Sequence, residues 1–284
     1  MPHKDLHQAN RASWNAATKQ HNTHKGDQAK SLREGGTTLY ADDVELLGDL
    51  TGKNLLHLQC NSGQDTLSIA KHLNASVTGV DISDEAIDFA TQLSADSGIP
   101  GTFIRSDIYD FFEQNADQFD VVFASYGTLS WLSDLTAWGS GIAAALKPGG
   151  RFVMVEFHPV YNLFESEGGE WKLRYDYMGG THYTFDGIGD YVAECGVLGT
   201  ERDDESPDWQ NPHPSHEFTW GIADVVMGLV GAGLHLTFLR EYPHTNGFRR
   251  FDEMRALPGG EVQYTMPADM PTLPLMFGIV AAKS

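Results

Sequence analysis

Polar residues and acids follow apolar runs in this sequence at the points where buried strands would end. The apolar run at 55–58 leads into Gln59-Cys60-Asn61-Ser62-Gly63, and a helical pattern follows. Asp81 ends the next apolar run, 18 residues after Gly63. A strand-to-helix turn offers backbone N–H groups to a ligand, and an acid about 20 residues further on can accept hydrogen bonds from both hydroxyls of a ribose. The spacing therefore predicts a site for a nucleoside-containing ligand.

Three more strand ends carry residues that could do chemistry. Asp107 follows the apolar run at 101–105, Ser125-Tyr126 follows 119–124, and His158 follows 151–157. In an open parallel sheet, ligands bind beyond the carboxyl ends of the strands. We therefore expect these side chains to meet the Gln59–Gly63 turn at one edge of the sheet.

Alternating short strands and helices must position these residues. The pattern predicts an α/β fold, a parallel sheet flanked by helices, because β-branched runs of about five residues alternate with helical periodicity. The expected strands are 54–58, 76–80, 101–105, 119–124 and 151–157, with later strands at 234–242 and 275–282; the expected helices include 4–20, 41–50, 64–73, 84–97, 135–146 and 218–231.

Residues 158–216 interrupt this alternation. They are rich in Gly, Asp, Tyr and His, contain only short strand-like pieces such as 180–185, and are too long for a plain connection. The sequence predicts four parts: an N-terminal helical lid at 1–40, a ligand-binding α/β core at 41–157, an inserted cap at 158–216, and the C-terminal part of the core at 217–284.

The formal net charge is −20, from 39 acidic and 19 basic residues. Such a field repels duplexes and anionic membranes, so we expect neither nucleic acid nor membrane as a partner. No apolar run approaches the roughly 20 residues of a membrane span, and the N-terminus has no apolar signal segment. With only Cys60 and Cys195, a disulfide framework is not expected, which favours a reducing, cytoplasmic location.

The order of the motifs resembles that of the class I S-adenosylmethionine-dependent methyltransferases. Residues 56–63 read LHLQCNSG, where the family's first strand and turn read roughly V-L-D-L-G-x-G-x-G. Residues 80–83 (VDIS) and 106–108 (SDI) supply the acids that end strands two and three, and 146–150 read LKPGG before strand five. The resemblance implies a doubly wound, seven-stranded Rossmann-like sheet, mostly parallel with an antiparallel last strand, and here with an inserted lid.

The resemblance implies S-adenosyl-L-methionine as cofactor, with S-adenosyl-L-homocysteine as product. Asp81 is expected at the ribose and Asp107 near the adenine amino group. His57 stands where the family usually has an acid, and Gln59 and Asn61 stand where it usually has glycines. Asn tolerates a left-handed backbone, so the turn can persist. The predicted cofactor-binding residues are Trp14, Gln59, Cys60, Asn61, Gly63, Asp81, Ile82, Asp107, Ile108 and Ser125.

The predicted reaction is methyl transfer to a sulfur, oxygen or nitrogen atom of a small molecule, whose identity the sequence leaves open. Tyr126, His158 and His216 are the candidates on the acceptor side. The His213-x-x-His216 spacing lacks a third ligand, so no metal is expected. The oligomeric state also stays open.

Two alternatives stay open. The first is a protein that binds S-adenosylmethionine without catalysis, because the turn is altered. The second is an NAD(P)-linked oxidoreductase, although QCNSGQ does not supply the G-x-G-x-x-G fingerprint. A nucleic-acid methyltransferase is disfavoured by the charge and by Ser125-Tyr126-Gly127-Thr128, which stands where an Asn/Asp-Pro-Pro-Tyr motif would follow strand four.

Overall fold

The computed structural model describes residues 2–167, 170–190 and 209–284. Its helices are α1 (Lys4–Thr23), α2 (Gln28–Arg33), α3 (Ala41–Leu47), α4 (Gln64–Leu73), α5 (Asp84–Ser97), α6 (Ile108–Phe112), α7 (Leu135–Ala145) and α8 (Ile222–Gly231). Its strands are β1 (Asn54–Leu58), β2 (Ser76–Asp81), β3 (Thr102–Arg105), β4 (Phe119–Ser125), β5 (Leu146–Phe157), β6 (Phe164–Glu167), β7 (Glu170–Leu173), β8 (His182–Phe185), β9 (Ser215–Phe218), β10 (His235–Tyr242), β11 (His244–Asn246), β12 (Arg255–Ala256), β13 (Gln263–Thr265) and β14 (Met276–Ala282).

A seven-stranded sheet forms the centre of the fold, in the order β3-β2-β1-β4-β5-β14-β10. Strands β1 to β5 pair in parallel, whereas β14 runs antiparallel to both β5 and β10. Leu58 lies opposite Val80, and Asp81 lies opposite Arg105, so neighbouring strands end side by side. The predicted fold class, with its antiparallel last strand, is confirmed.

Apolar side chains cover both faces of this sheet. On one face Trp138 of α7 packs edge-on against Phe152 of β5, with ring centroids 5.3 Å apart. On the other face Leu47 and Leu50 pack with Phe123 of β4. Each such side chain, when fully buried, contributes about 1.5–3 kcal/mol. Burial on both faces explains why the strands read as near-continuous apolar runs.

Two predicted elements begin several residues away from their expected starts, and the helices expected at 4–20 and 41–50 end at Thr23 and Leu47. The helix expected at 218–231 starts at Ile222, because Phe218 ends strand β9 and Asp224 accepts the backbone N–H of Gly221 at the start of the helix (2.9 Å). Strand β5 starts at Leu146, before the expected 151. Gly149 adopts a φ of 78°, and its N–H donates to the carbonyl of Lys283, which extends the pairing past the glycine turn.

Helix α1 lies across the carboxyl ends of the strands. Arg11 contacts Asp84 through two hydrogen bonds of 2.7 Å, and the side chain of Asn10 exchanges hydrogen bonds of 2.7 and 2.8 Å with the backbone of His216. The helix therefore joins the start of α5 to β9.

Part of the predicted cap at 158–216 lies outside the described residues, and Cys195 belongs to that part. The described part of the cap forms two antiparallel pairs, β6–β7 and β8–β9. The division of the chain into these four parts stays a prediction.

Candidate functional site

The turn after β1 adopts an uncommon backbone. Gln59, Asn61 and Gly63 have φ values of 51°, 46° and 77°. A Cβ atom on Gly63 would lie 2.7 Å from Cβ of Ala90 and 2.8 Å from Cε1 of Phe103, so both conformation and space require glycine there. Asn61 stabilises its own left-handed conformation, because its Oδ1 accepts the N–H of Ser62 (2.6 Å). Two of the three expected glycines are thus replaceable, and the third is not.

Asp81 fastens this turn to the end of β2. One carboxylate oxygen accepts the N–H of Asn61 and the other the N–H of Ser83, each at 2.8 Å. Burial raises the pKa of the Asp81 carboxyl, and these backbone donors oppose the rise. A carboxylate has about four acceptor positions, so both oxygens can still accept ribose hydroxyls.

Asp107 marks the opposite end of this site. Its Oδ1 accepts the N–H of Tyr109 at the start of α6 (3.0 Å), and its Oδ2 lies 2.7 Å from Nδ1 of His7 on α1. The His7 ring also stacks on Tyr109, with centroids 5.4 Å apart. Helix α1 therefore closes this end of the site.

His57, at the position where an acid was expected, carries no charge. The ring is buried, with Nδ1 2.8 Å from Oγ1 of Thr66 and Nε2 3.4 Å from Oγ of Ser125. Burial lowers the pKa of His57 to about 3, so it stays neutral at physiological pH. It positions the turn but supplies no negative charge to a ligand.

Gln59 has a buried hydrogen-bond acceptor without a donor among the described residues. Its Nε2 donates to the carbonyl of Thr128 (3.0 Å), whereas its Oε1 is buried and has no hydrogen-bond partner among the described residues. An unsatisfied buried acceptor costs about 1–3 kcal/mol. A ligand N–H group would remove that cost.

These residues surround a cavity of about 180 Å³, which we call the turn cavity. All the predicted cofactor-binding residues except Gly63 line it, and Gly63 lies at the start of α4 behind it. Helix α1 adds His7 and Asn10. Sequence reasoning missed both, because neither stands at a strand end.

A larger cavity of about 970 Å³, the outer cavity, adjoins the turn cavity. Trp14 and Trp131 line both and meet edge-on, with centroids 5.2 Å apart. Many aromatic side chains line the outer cavity, and besides the two tryptophans they include Tyr40, Phe157, Tyr175, Tyr183, Phe185, Trp220 and Phe248. The residues shared by the two cavities are Trp14, Gln64, Asp65, Tyr126, Gly127 and Trp131.

Of the three acceptor-side candidates, the structure brings only Tyr126 to the cavities. Its hydroxyl donates to Oδ1 of Asp43 and accepts from Nδ2 of Asn246, each at 2.9 Å. Burial raises the pKa of this phenol well above its usual range. Tyr126 therefore shapes the junction of the cavities with its hydroxyl held by Asp43 and Asn246, and its catalytic role stays a prediction.

His158 and His216 do not line either cavity. Nε2 of His158 lies 2.9 Å from Oε1 of Glu241, and its Nδ1 accepts the N–H of Val160. Nδ1 of His216 lies 3.2 Å from both His182 and Thr184. Within the described part of the chain, no cluster of three or more metal-ligating side chains occurs, and no helix is long and apolar enough to cross a membrane.

Glu217 is the titratable group that sequence reasoning missed. Because side chains alternate along β9, Glu217 faces away from His216 and lines the outer cavity. Burial raises the pKa of Glu217 to about 7, and Arg250 opposes the rise. No sequence signal marks it, since the alternation is meaningful only once β9 is placed.

The sheet order and the strand-end site define a Rossmann-like α/β protein of the methyltransferase type. The structure is similar to that of an S-adenosylmethionine dependent methyltransferase from Mesorhizobium loti, with a TM-score of 0.54 and 18% identity, over 88% of this chain and all of that one. At this identity the likeness concerns the fold alone.

Sequence comparison finds a methyltransferase domain within the chain. Residues 56–152 match the model of a methyltransferase domain. The chain is 34% identical over 108 residues to the ubiquinone biosynthesis O-methyltransferase of Vibrio parahaemolyticus, covering 38% of this chain and 45% of that protein. It is 31% identical over 130 residues to the demethylmenaquinone methyltransferase of Lactococcus lactis, covering 44% and 50%. The chain thus spans about half the length of these relatives. Its fold and its domain at 56–152 are similar to those of the class I S-adenosylmethionine-dependent methyltransferases, as the motifs predicted.

Proposed function

We propose that this chain transfers a methyl group from S-adenosyl-L-methionine to a heteroatom of a small molecule. The observation that carries the proposal is the junction of the two cavities. The turn cavity has the acids and the backbone turn that suit an adenosyl group, and it meets a larger aromatic cavity at Trp14, Tyr126 and Trp131.

The residues of the turn cavity fit the cofactor. Asp81 offers acceptor positions for the ribose hydroxyls, and Asp107 with Ile108 stands at the base end. The unpaired Oε1 of Gln59 suits an ammonium group. When bound, the cofactor supplies a sulfonium methyl group whose leaving group is a neutral thioether. The protein then has mainly to align the acceptor and exclude water.

The outer cavity supports a small aromatic or apolar acceptor. Aromatic side chains contribute much of its apolar wall, and its volume is that of a pocket for a small molecule. The two relatives are named for ubiquinone biosynthesis and for demethylmenaquinone, and because quinones are ring compounds this agrees with an aromatic acceptor. Glu217 is the candidate to accept a proton where the acceptor is a hydroxyl or a protonated amine.

Calorimetric titration with S-adenosylmethionine, S-adenosylhomocysteine and NAD tests the cofactor, and a methyl-transfer assay on phenols, thiols and amines tests catalysis. We expect binding of the first two ligands and transfer to at least one acceptor class. Tight binding of NAD alone would indicate the oxidoreductase alternative. Cofactor binding without transfer to any acceptor would support the non-catalytic alternative.

A further inference from the structure

Asp65 places a carboxylate where the two cavities join. It lies in the first turn of α4 and lines both cavities. Its Oδ1 accepts the hydroxyl of Thr38, and burial raises the pKa of its carboxyl, an effect that Thr38 and Lys25 oppose. No other described side chain donates a hydrogen bond to it. The carboxylate is therefore only partly satisfied.

Lys25 places an ammonium group in the wall of the outer cavity, which Asp65 also lines. It belongs to the connection between α1 and α2, lines the outer cavity, and forms no ion pair within 4 Å among the described residues. The carboxylates of Asp65 and Asp190 act on it from a longer distance. Burial lowers the pKa of Lys25 to about 8, so the amine is still mostly charged at neutral pH. A charged group that is partly buried without a close partner costs free energy, which a ligand of opposite charge would recover.

Three groups of complementary kind thus line the two adjoining cavities. Asp65 offers a negative charge to both cavities, Gln59 offers the turn cavity a buried acceptor without a partner among the described residues, and Lys25 offers the outer cavity a positive charge. An α-amino acid is a zwitterion with an ammonium and a carboxylate on one carbon atom. Its two charged groups match the two signs present in the walls of these cavities. His57, neutral and hydrogen-bonded to Thr66, cannot serve the ammonium as a charge partner.

We propose that Asp65 and Gln59 hold the α-ammonium group of the cofactor's amino-acid end, and that Lys25 holds its α-carboxylate. The inference rests on the proposed function, because it concerns the same cofactor. The negative charge that the sequence lacks at the end of β1 is then supplied from the first turn of α4. The connection between α1 and α2 contributes directly to binding, so the N-terminal lid recognises the cofactor as well as covering it.

Calorimetric titration of the full chain with three ligands tests the α-ammonium and the α-carboxylate contacts separately. S-adenosylhomocysteine has both groups, its decarboxylated analogue has only the amine, and 5′-methylthioadenosine has neither. Lys25→Met should weaken binding of the first about 10- to 100-fold and leave the other two within about twofold. Asp65→Asn should weaken the first two by a similar factor and leave the third unchanged. Lys19→Met, which removes an exposed lysine of α1 paired with Glu85, is the matched control and should affect none of the three.

The outcomes distinguish this inference from the proposed function. If the parent protein binds neither S-adenosylhomocysteine nor 5′-methylthioadenosine, the proposed function itself is wrong. If the parent binds both but Lys25→Met and Asp65→Asn weaken all three ligands equally, or none, only the assignment of these residues is wrong. Should Asp65→Asn prevent folding, Lys25→Met decides alone, because it removes no hydrogen bond or close ion pair among the described residues.

Discussion

The turn cavity and the outer cavity are built from different parts of the chain. The turn cavity takes most of its wall from the ends of β1 to β4, within residues 57–128, and helix α1 closes it. The outer cavity takes its wall from the α1–α2 connection, the end of β5, the described part of the cap, and the loop after β11. The first depends on backbone conformation at consecutive strand ends, whereas the second depends on side chains brought together from distant segments.

Because of this difference, we expect substitutions in the two cavities to have different effects. In the turn cavity, Asp81 and Asp107 accept hydrogen bonds from backbone N–H groups, so changes at these acids should disturb both folding and binding. In the outer cavity, Lys25 and Glu217 have no close polar partner among the described residues. Changes there should alter ligand selectivity or pH dependence more than folding.

Gly63→Val should have the largest effect. The side chain would meet Ala90 and Phe103, and a β-branched residue at a φ of 77° adds strain. We expect loss of S-adenosylhomocysteine binding by more than about 100-fold and a destabilisation of roughly 3–5 kcal/mol, measured by calorimetry and chemical unfolding. Gly98→Val is the matched control, because Gly98 has a similar φ of 70° but a Cβ atom there would meet no other atom within 4 Å. Equal effects of the two variants would contradict the steric argument.

Asp81→Asn comes next. An asparagine retains one acceptor oxygen but sets an NH₂ group against a backbone N–H of Asn61 or Ser83. We expect S-adenosylhomocysteine to bind about 10- to 100-fold more weakly, which corresponds to about 1.5–3 kcal/mol. Asp88→Asn, on the exposed side of α5, is the control and should leave affinity unchanged. If Asp81→Asn binds S-adenosylhomocysteine as tightly as the parent, Asp81 does not bind the ribose.

Glu217→Gln tests the outer cavity through pH. The folded-state pKa of Glu217 is raised to about 7 from 4.5, so the folded protein binds this proton more tightly than the unfolded chain does. The charged form therefore costs stability increasingly as the pH rises from about 4.5 to 7. The glutamine variant should gain about 1–2 kcal/mol relative to the parent across that interval and no more above it, a value reduced for partial solvent exposure. Thermal unfolding at pH 4.5 and pH 8 measures the gain, and Glu170→Gln on the exposed strand β7 is the control. A gain in stability that does not depend on pH would contradict the raised pKa of Glu217.

His158→Ala and His216→Ala should have the smallest effects on binding. Neither ring lines a cavity, and His158 is already held by Glu241. We expect each variant to keep S-adenosylhomocysteine affinity within about twofold while losing roughly 1 kcal/mol of stability through the lost hydrogen bonds. A tenfold loss of affinity or of methyl transfer in either variant would show that the substituted histidine contributes to the site.

The sequence predicted the sheet and the turn cavity better than it predicted the rest. Strand ends are local features, since an apolar run, its terminal acid and the following helix are neighbours in the chain. Asp81 and Asp107 could therefore be found from spacing, and both line the turn cavity. His158 met the same criterion yet lies elsewhere, because the chain after β5 turns toward Glu241 on β10. Position after a strand does not fix the direction of a side chain.

The amino-acid sequence by itself determined the α/β alternation and the order of the strand-end acids, because both follow from local periodicity. Only the tertiary structure decided that a Cβ atom at Gly63 would meet Ala90 and Phe103. It also decided that His7 contacts Asp107, that His57 is neutral, and that Asp65 and Lys25 line one cavity. Those outcomes depend on burial and on contacts between segments as many as 100 residues apart, as for His7 and Asp107. Local sequence patterns do not predict contacts between segments that are so far apart in the chain.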